Sequence, residues 1–217
     1  MPPLVFNGVT IPDNSANALS FNGTDVTQVV FNGTTVWQQS LGASYDLGIT
    51  PILDTVSGQN NAWSQRTVDV SGYAGATVRP VFRYVSGSNY LGDIQLDQIV
   101  IGGTTSSFES SAESFESSYL GEETYASVSW AAIGTRTNYR RWVRDSNGTG
   151  SAGTGRQDAA DGSFYLYAET SSTGSPSKNF WLRGPQVTLG ASPTFTYYEA
   201  RLGATIGTLD VYLDVIS

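Results

Sequence analysis

The chain has no cysteine and no histidine in 217 residues. Without cysteine there is no disulfide, no thiolate metal site and no thiol nucleophile. Without histidine the usual general base and the commonest transition-metal ligand are both missing, which excludes a Ser-His-Asp triad and a His-ligated zinc. Basic residues are scarce, 11 Lys plus Arg against 19 Asp plus Glu, giving a formal net charge of −8. Nucleic-acid binding rests on Lys and Arg contacts to phosphate, so no nucleic-acid partner is expected. No apolar run approaches the roughly 18 residues needed to cross a bilayer, and no basic N-terminal segment precedes an apolar one. Neither membrane insertion nor a signal peptide is expected. Charged residues make up only 14% of the chain. The polar balance is carried by Gly, Ser, Thr and Asn, which favour short strands and tight turns over surface helices.

What is present reads as all-β. The length suits one sandwich of ordinary size plus a small extra module. The first forty residues repeat themselves: Phe6-Asn7-Gly8, Phe21-Asn22-Gly23 and Phe31-Asn32-Gly33, the last two within LSFNGTDV and VVFNGTTV. Asn-Gly between apolar residues is a hairpin signal, because both positions accept the positive φ of a type I′ turn. Three or four short strands are expected here; the alternative is a flexible tail with fortuitous Asn-Gly pairs. So few strands bury little by themselves, so residues 1–42 are read as an anchor or oligomerisation module and residues 43–217 as the main domain.

In the main domain WSQRTVDVSGY, TVRPVFRYVSG and GDIQLDQIVIGG alternate as half-buried strands, the last with a late register change. Pro80 lacks an N–H, which points to an edge strand or a bulge. Residues 104–118, TTSSFESSAESFESS, are rich in Ser, Thr and Glu and read as an internal linker. Further strands are expected over 126–132, 164–169, 180–189, 194–202 and 208–215. Between Ser146 and Asp161 runs SNGTGSAGTGRQDAAD, a loop long enough to be specialised.

Two resemblances follow from these segments. ALSFNGTDVTQVVFNGTTVWQ resembles stretches near the N-terminus of tail, fibre and other appendage proteins of tailed bacteriophages. That resemblance implies a virion protein on the exterior surface or tail, bound to other virion proteins through residues 1–42. Such proteins are often trimers, so a homo-oligomer is expected, with three copies favoured. The second resemblance is to the MAM domain, an extracellular adhesion module with a jelly-roll fold. Phe115-Glu116, Trp130, Trp142, GSFYLYAETSS, FWLRGPQVTL and TFTYYEARLGATIGTLDVYL resemble that family's first half. Trp63, TVDVSGY, TVRPVFRYVSG and LGDIQLDQIVIGG resemble its second half, here placed first. The implied fold is an apparently circularly permuted jelly-roll β-sandwich; two half-domains exchanged between neighbouring chains are the alternative.

Candidate chemistry is thin. Asp and Glu are the plausible acid-base groups, and Asp93, Asp97, Glu116, Asp158, Asp161 and Glu169 are the candidates for a glycosidase-like pair. Nothing in their spacing singles out two of them, so no enzymatic activity is expected. MAM-like domains can hold Ca2+, and the resemblance places its ligands at Glu116 and Asp97, with Asp158 a third; Thr137 and Asn138 stand where the family has acidic residues. Trp63, Trp130, Trp142, Trp181, Tyr165, Tyr167, Tyr197 and Tyr198 are candidates for a sugar-stacking platform, though alternation sends most such residues inward. Arg140, Arg141 and Arg144 form a basic cluster around Trp142, so Trp142, Arg140 and Arg144 are the candidate ligand contacts. The expectation is a non-enzymatic structural virion protein displaying an adhesion-type jelly roll for host attachment, or else a module that binds a host surface glycan.

Overall fold

The computed structural model describes residues 49–110, 142–171 and 174–216 in full, and eight further strands by their backbone pairing. The chain divides into two compact units, Met1–Asp46 and Leu47–Ser217. The first holds three antiparallel hairpins: β1 (Leu4–Phe6) with β2 (Val9–Ile11), β3 (Leu19–Phe21) with β4 (Thr24–Val26), and β5 (Gln28–Phe31) with β6 (Thr34–Gln38). Each pairing closes on the repeated phenylalanine, as Phe6 opposite Val9, Phe21 opposite Thr24 and Phe31 opposite Thr34. The two residues between are Asn-Gly every time, the length and composition that a two-residue hairpin connection demands. There are therefore six strands where three or four were expected, because each Asn-Gly joins its own pair.

The second unit holds β7 (Asp54–Ser57), β8 (Asn60–Val68), β9 (Thr77–Val85), β10 (Ile94–Ile101), β11 (Thr104–Ser106), β12 (Glu116–Tyr119) and β13 (Ala126–Ser127). After these come β14 (Trp142–Asp145), β15 (Tyr165–Ala168), β16 (Asn179–Arg183), β17 (Val187–Thr188), β18 (Phe195–Arg201) and β19 (Thr208–Ile216). They form two antiparallel sheets, one ordered β14-β15-β10-β18-β8 with β11 also on β10, the other β13-β12-β16-β9-β19-β7 with β17 also on β9. The fold is all-β, a β-sandwich. The segments before and after residues 111–141 interleave in both sheets of a single chain, β10 between β15 and β18 and β9 between β16 and β19.

Alternation supplies the core. Phe82 and Tyr84 of β9, Ile94 and Leu96 of β10, Phe180 and Leu182 of β16, Phe195 and Tyr197 of β18 and Leu209 and Val211 of β19 are all fully buried. The Phe82 ring stands edge-on to Tyr197 at 5.2 Å and to Phe195 at 6.0 Å, joining the two sheets. On one side the two sheets are linked by consecutive edge strands, β7 in one sheet and β8 in the other. There Arg66 grips the Asp54 carboxylate with two nitrogens (2.6 and 3.0 Å), and the buried Tyr197 hydroxyl donates to the same group at 2.9 Å.

Two expectations need correction. Pro80 is on no edge: β9 is central, paired with β19 on one side and with β16 and β17 on the other. Its missing N–H does no harm because β16 pairs only as far as Val81 and β17 only from Val78, so Pro80 faces the gap between them. Gly184 donates to the Pro80 carbonyl at 2.8 Å across that gap, and the single strand expected over 180–189 is broken there by Gly184-Pro185. The Ser/Thr/Glu stretch is not a linker where it begins. Thr104–Ser106 runs as β11 against β10, and Phe108 is fully buried. Glu109 then accepts backbone N–H bonds from Ser163 and Phe164 at 2.7 Å each.

Candidate functional site: a stapled loop beside an open cleft

In β10 and the residue before it, alternation turns Ile94 and Leu96 into the core and sends Asp93, Gln95 and Asp97 to the opposite face. Those three polar side chains are nevertheless fully buried, because the Gly-rich loop from Ser146 to Asp161 lies over them. Each binds the covering chain. Asp93 accepts from the Thr170 N–H and hydroxyl (2.8 Å each) and from the Thr154 hydroxyl (3.0 Å), which is itself bonded to Thr149 at 2.8 Å. Gln95 accepts from the Arg156 N–H at 2.6 Å and donates to the Arg156 carbonyl at 3.0 Å, pairing with that residue as a strand would. Asp97 accepts from the N–H groups of Ala160 (2.8 Å) and Asp161 (3.0 Å) on one oxygen and from Gln98 (2.7 Å) on the other. From the next strand, the Tyr165 hydroxyl donates to the Gly148 carbonyl at 2.7 Å.

The loop composition fits this seating. Gly155 has φ +61°, and a Cβ there would lie 2.2 Å from the Thr149 methyl carbon, so only glycine lets the loop lie flat. Neither Asp93 nor Asp97 has a cationic partner among the bonds just named, and their electrostatics show it. Burial pushes the Asp97 carboxyl up to about 6, against hydrogen bonds from Asp161, Gln98 and Ala160 that pull it down. Asp93 is pushed up by burial in the same way, against hydrogen bonds from Thr149, Thr170 and Thr154.

Outside the staples, Asn61 of β8, loop residues 151–158 and Leu202 enclose a cleft of ≈ 580 Å³. Arg156 forms a two-pronged ion pair with Asp158 (2.8 Å on each prong), and its remaining terminal nitrogen donates to the Asn61 carbonyl at 2.7 Å. The Arg156 hydrogen bonds hold the Asp158 carboxyl below the usual carboxylate range. The Trp63 indole N–H donates to the Asp158 carbonyl at 3.1 Å, and its ring lies 6.0 Å from that of Tyr165. The exposed amide side chains of Asn61 and Gln157 make no hydrogen bond among the described residues.

The expected site residues are scattered by this fold. Trp142 is fully buried and donates across the sandwich to the Phe180 carbonyl at 3.3 Å, so it presents nothing to a ligand. Arg144 is inside as well, bonded to the Phe108 and Glu109 carbonyls and stacked on the Phe164 ring; the basic cluster read from the sequence loses this member to the core. Arg140 and Trp130 lie outside the described residues, and of Glu116 the structure describes only its place in β12, opposite Arg183 of β16. Asp97 and Asp158 do not fit a calcium site as placed: the first holds three N–H groups and the second a guanidinium. Among the described residues no three acidic side chains gather to hold a metal ion.

Of the six carboxylates considered for acid-base work, Asp93, Asp97, Asp158 and Glu169 are already held by protein donors. Tyr165, Tyr167 and Tyr197 are buried, while Trp63, Trp181 and Tyr198 are partly exposed. Compared with family models, with curated proteins and with solved structures, the chain gives no match. The cleft thus brings together a loop hydrogen-bonded to β10, an ion pair neutral as a unit, and two amides without hydrogen-bond partners among the described residues.

Proposed function

We propose that the chain is a non-enzymatic structural protein of a tailed-phage virion, displaying its β-sandwich on the exterior for host surface attachment. The observation that carries this reading is the division of the chain into a compact sandwich and a separate compact unit of three hairpins built on one repeated sequence. A two-stranded hairpin is marginal in isolation, so three of them in series call for neighbours, and other virion proteins or further copies of the chain supply those. In this reading Met1–Asp46 docks and assembles, three copies being the favoured number, and Leu47–Ser217 projects. The acidic surface charge suits an exposed particle protein that must not bind nucleic acid.

Light scattering on the full chain and on Leu47–Ser217 tests this. A stable oligomer that becomes a folded monomer on truncation supports the reading. Two monomers refute it and leave a solitary glycan-binding module, a second reading that the polar cleft favours.

A further inference from the structure

We propose that the cleft bounded by Asn61, Ser151, Arg156, Gln157, Asp158 and Leu202 is a binding site for a neutral saccharide. The proposal deepens the attachment reading and rests on it for its biological sense. Its volume of ≈ 580 Å³ lies within the range of roughly 300–1,000 Å³ typical of small-molecule sites.

The lining narrows the ligand by chemistry. An anion finds no unpaired cation: Arg156 gives two donors to Asp158 and another to the Asn61 carbonyl, in a chain of net charge −8. A metal ion finds one carboxylate already neutralised by that guanidinium. Apolar surface is present as backbone and side-chain carbon, but the wholly apolar side chains of the lining are Leu202 and Ala152 and no aromatic ring is among them. What remains unengaged are the side-chain amides of Asn61 and Gln157, each with donor and acceptor capacity, and the outer lone pairs of Asp158, whose side chain is 59% exposed. Donors and acceptors on the lining of one cleft, with no net charge, suit the hydroxyls of a sugar.

The wall is also prepared in advance. Gln95 holds Arg156 through both its backbone N–H and its carbonyl, and Trp63 holds the Asp158 carbonyl. Binding therefore orders little beyond the two exposed amides, which limits the entropy lost.

The test uses the full chain, labelled with nitrogen-15 and titrated into the tens of millimolar with glucose, galactose, mannose, N-acetylglucosamine and their disaccharides. At least one of these is expected to shift the side-chain amide signals of Asn61 and Gln157 and the Trp63 indole N–H together. Asn61→Ala and Gln157→Ala should each weaken that binding by about three- to tenfold, the worth of one hydrogen bond, with unchanged melting temperature. No shift with any member of the panel overturns the proposal, as do shifts confined to other surfaces or equal binding of sialic acid. An oligomer that binds no saccharide sinks this site and leaves the virion reading standing; saccharide binding by a chain monomeric at full length does the reverse.

Discussion

Asp97 titrates where it can be followed, and the direction of its effect is set by a contest visible in the structure. Its carboxylate accepts three backbone N–H bonds, which favour the charged form, yet it is fully buried with no cation among those donors, which disfavours it. Burial wins, and the group sits at about 6 against about 3.9 for an unfolded aspartate. A folded-state value above the unfolded one means that the native protein holds the extra proton between those limits. This contribution to stability is fully present below about pH 4 and is lost as pH rises through about 6. A shift of about two units corresponds to about 2–3 kcal/mol.

Asp97→Asn cannot titrate, and its amide turns two hydrogens toward donors, so the variant carries a constant penalty of one or two lost bonds. Urea denaturation of both proteins from pH 4 to 8 isolates the effect. The stability of the native sequence minus that of the variant should grow by about 2 kcal/mol as pH falls from 8 to 4. A difference that is flat, or that shrinks with acid, would show that the three N–H groups outweigh burial and that the loop is held by a comfortable charge.

Two further outcomes follow from the sandwich. Asp54→Ala strips the buried Tyr197 hydroxyl of its acceptor as well as breaking the clasp to Arg66, and should cost about 2 kcal/mol in urea unfolding. Arg66→Met leaves Tyr197 its partner, and because the Arg66 side chain is 39% exposed its loss should cost no more than about 1 kcal/mol; equal costs would mean that the ion pair and not the hydroxyl matters. Gly155→Ala forces a left-handed alanine against Thr149 and should destabilise by more than about 2 kcal/mol, whereas Gly153→Ala, also at positive φ but with open space around it, should cost about 1 kcal/mol, as read by melting temperature.

Much of the architecture was legible because strand alternation and Asn-Gly turns are local signals. The three repeats marked their hairpins, and the late register change in GDIQLDQIVIGG is a bulge between Asp97 and Val100, with Gln98 at φ +42°. Pro80 misled because its tolerance depends on where two other strands stop, which its own sequence does not record. Thr104–Ser106 misled because Ser and Thr pair as well in a strand as they solvate a linker.

The site was legible in its parts and not in its assembly. Ile94 and Leu96 gave away the strand; from the sequence Asp93 and Asp97 are acid-base candidates, Asp97 also a calcium ligand by resemblance, and Gln95 is not singled out, whereas all three side chains hold the loop. The signal lay in the pairing of a polar strand face with a sixteen-residue Gly-rich loop, since a loop that long needs partners for its backbone. Trp142 and Arg144 looked like a surface cluster because composition cannot say which side of a short strand faces in; both are core.

The central claim is that the Gly-rich loop is a fixed wall, held by the polar face of β10, against which recognition takes place. Amide hydrogen exchange tests it most directly. The N–H groups of Gly155, Arg156, Ala160 and Asp161, bonded to Leu202, Gln95 and Asp97, should exchange at least about a hundredfold more slowly than the exposed turn at Gly190–Ser192, equivalent to about 3 kcal/mol of local opening. Exchange of those four amides at the rate of that turn would mean that the loop opens freely and the cleft has no fixed shape.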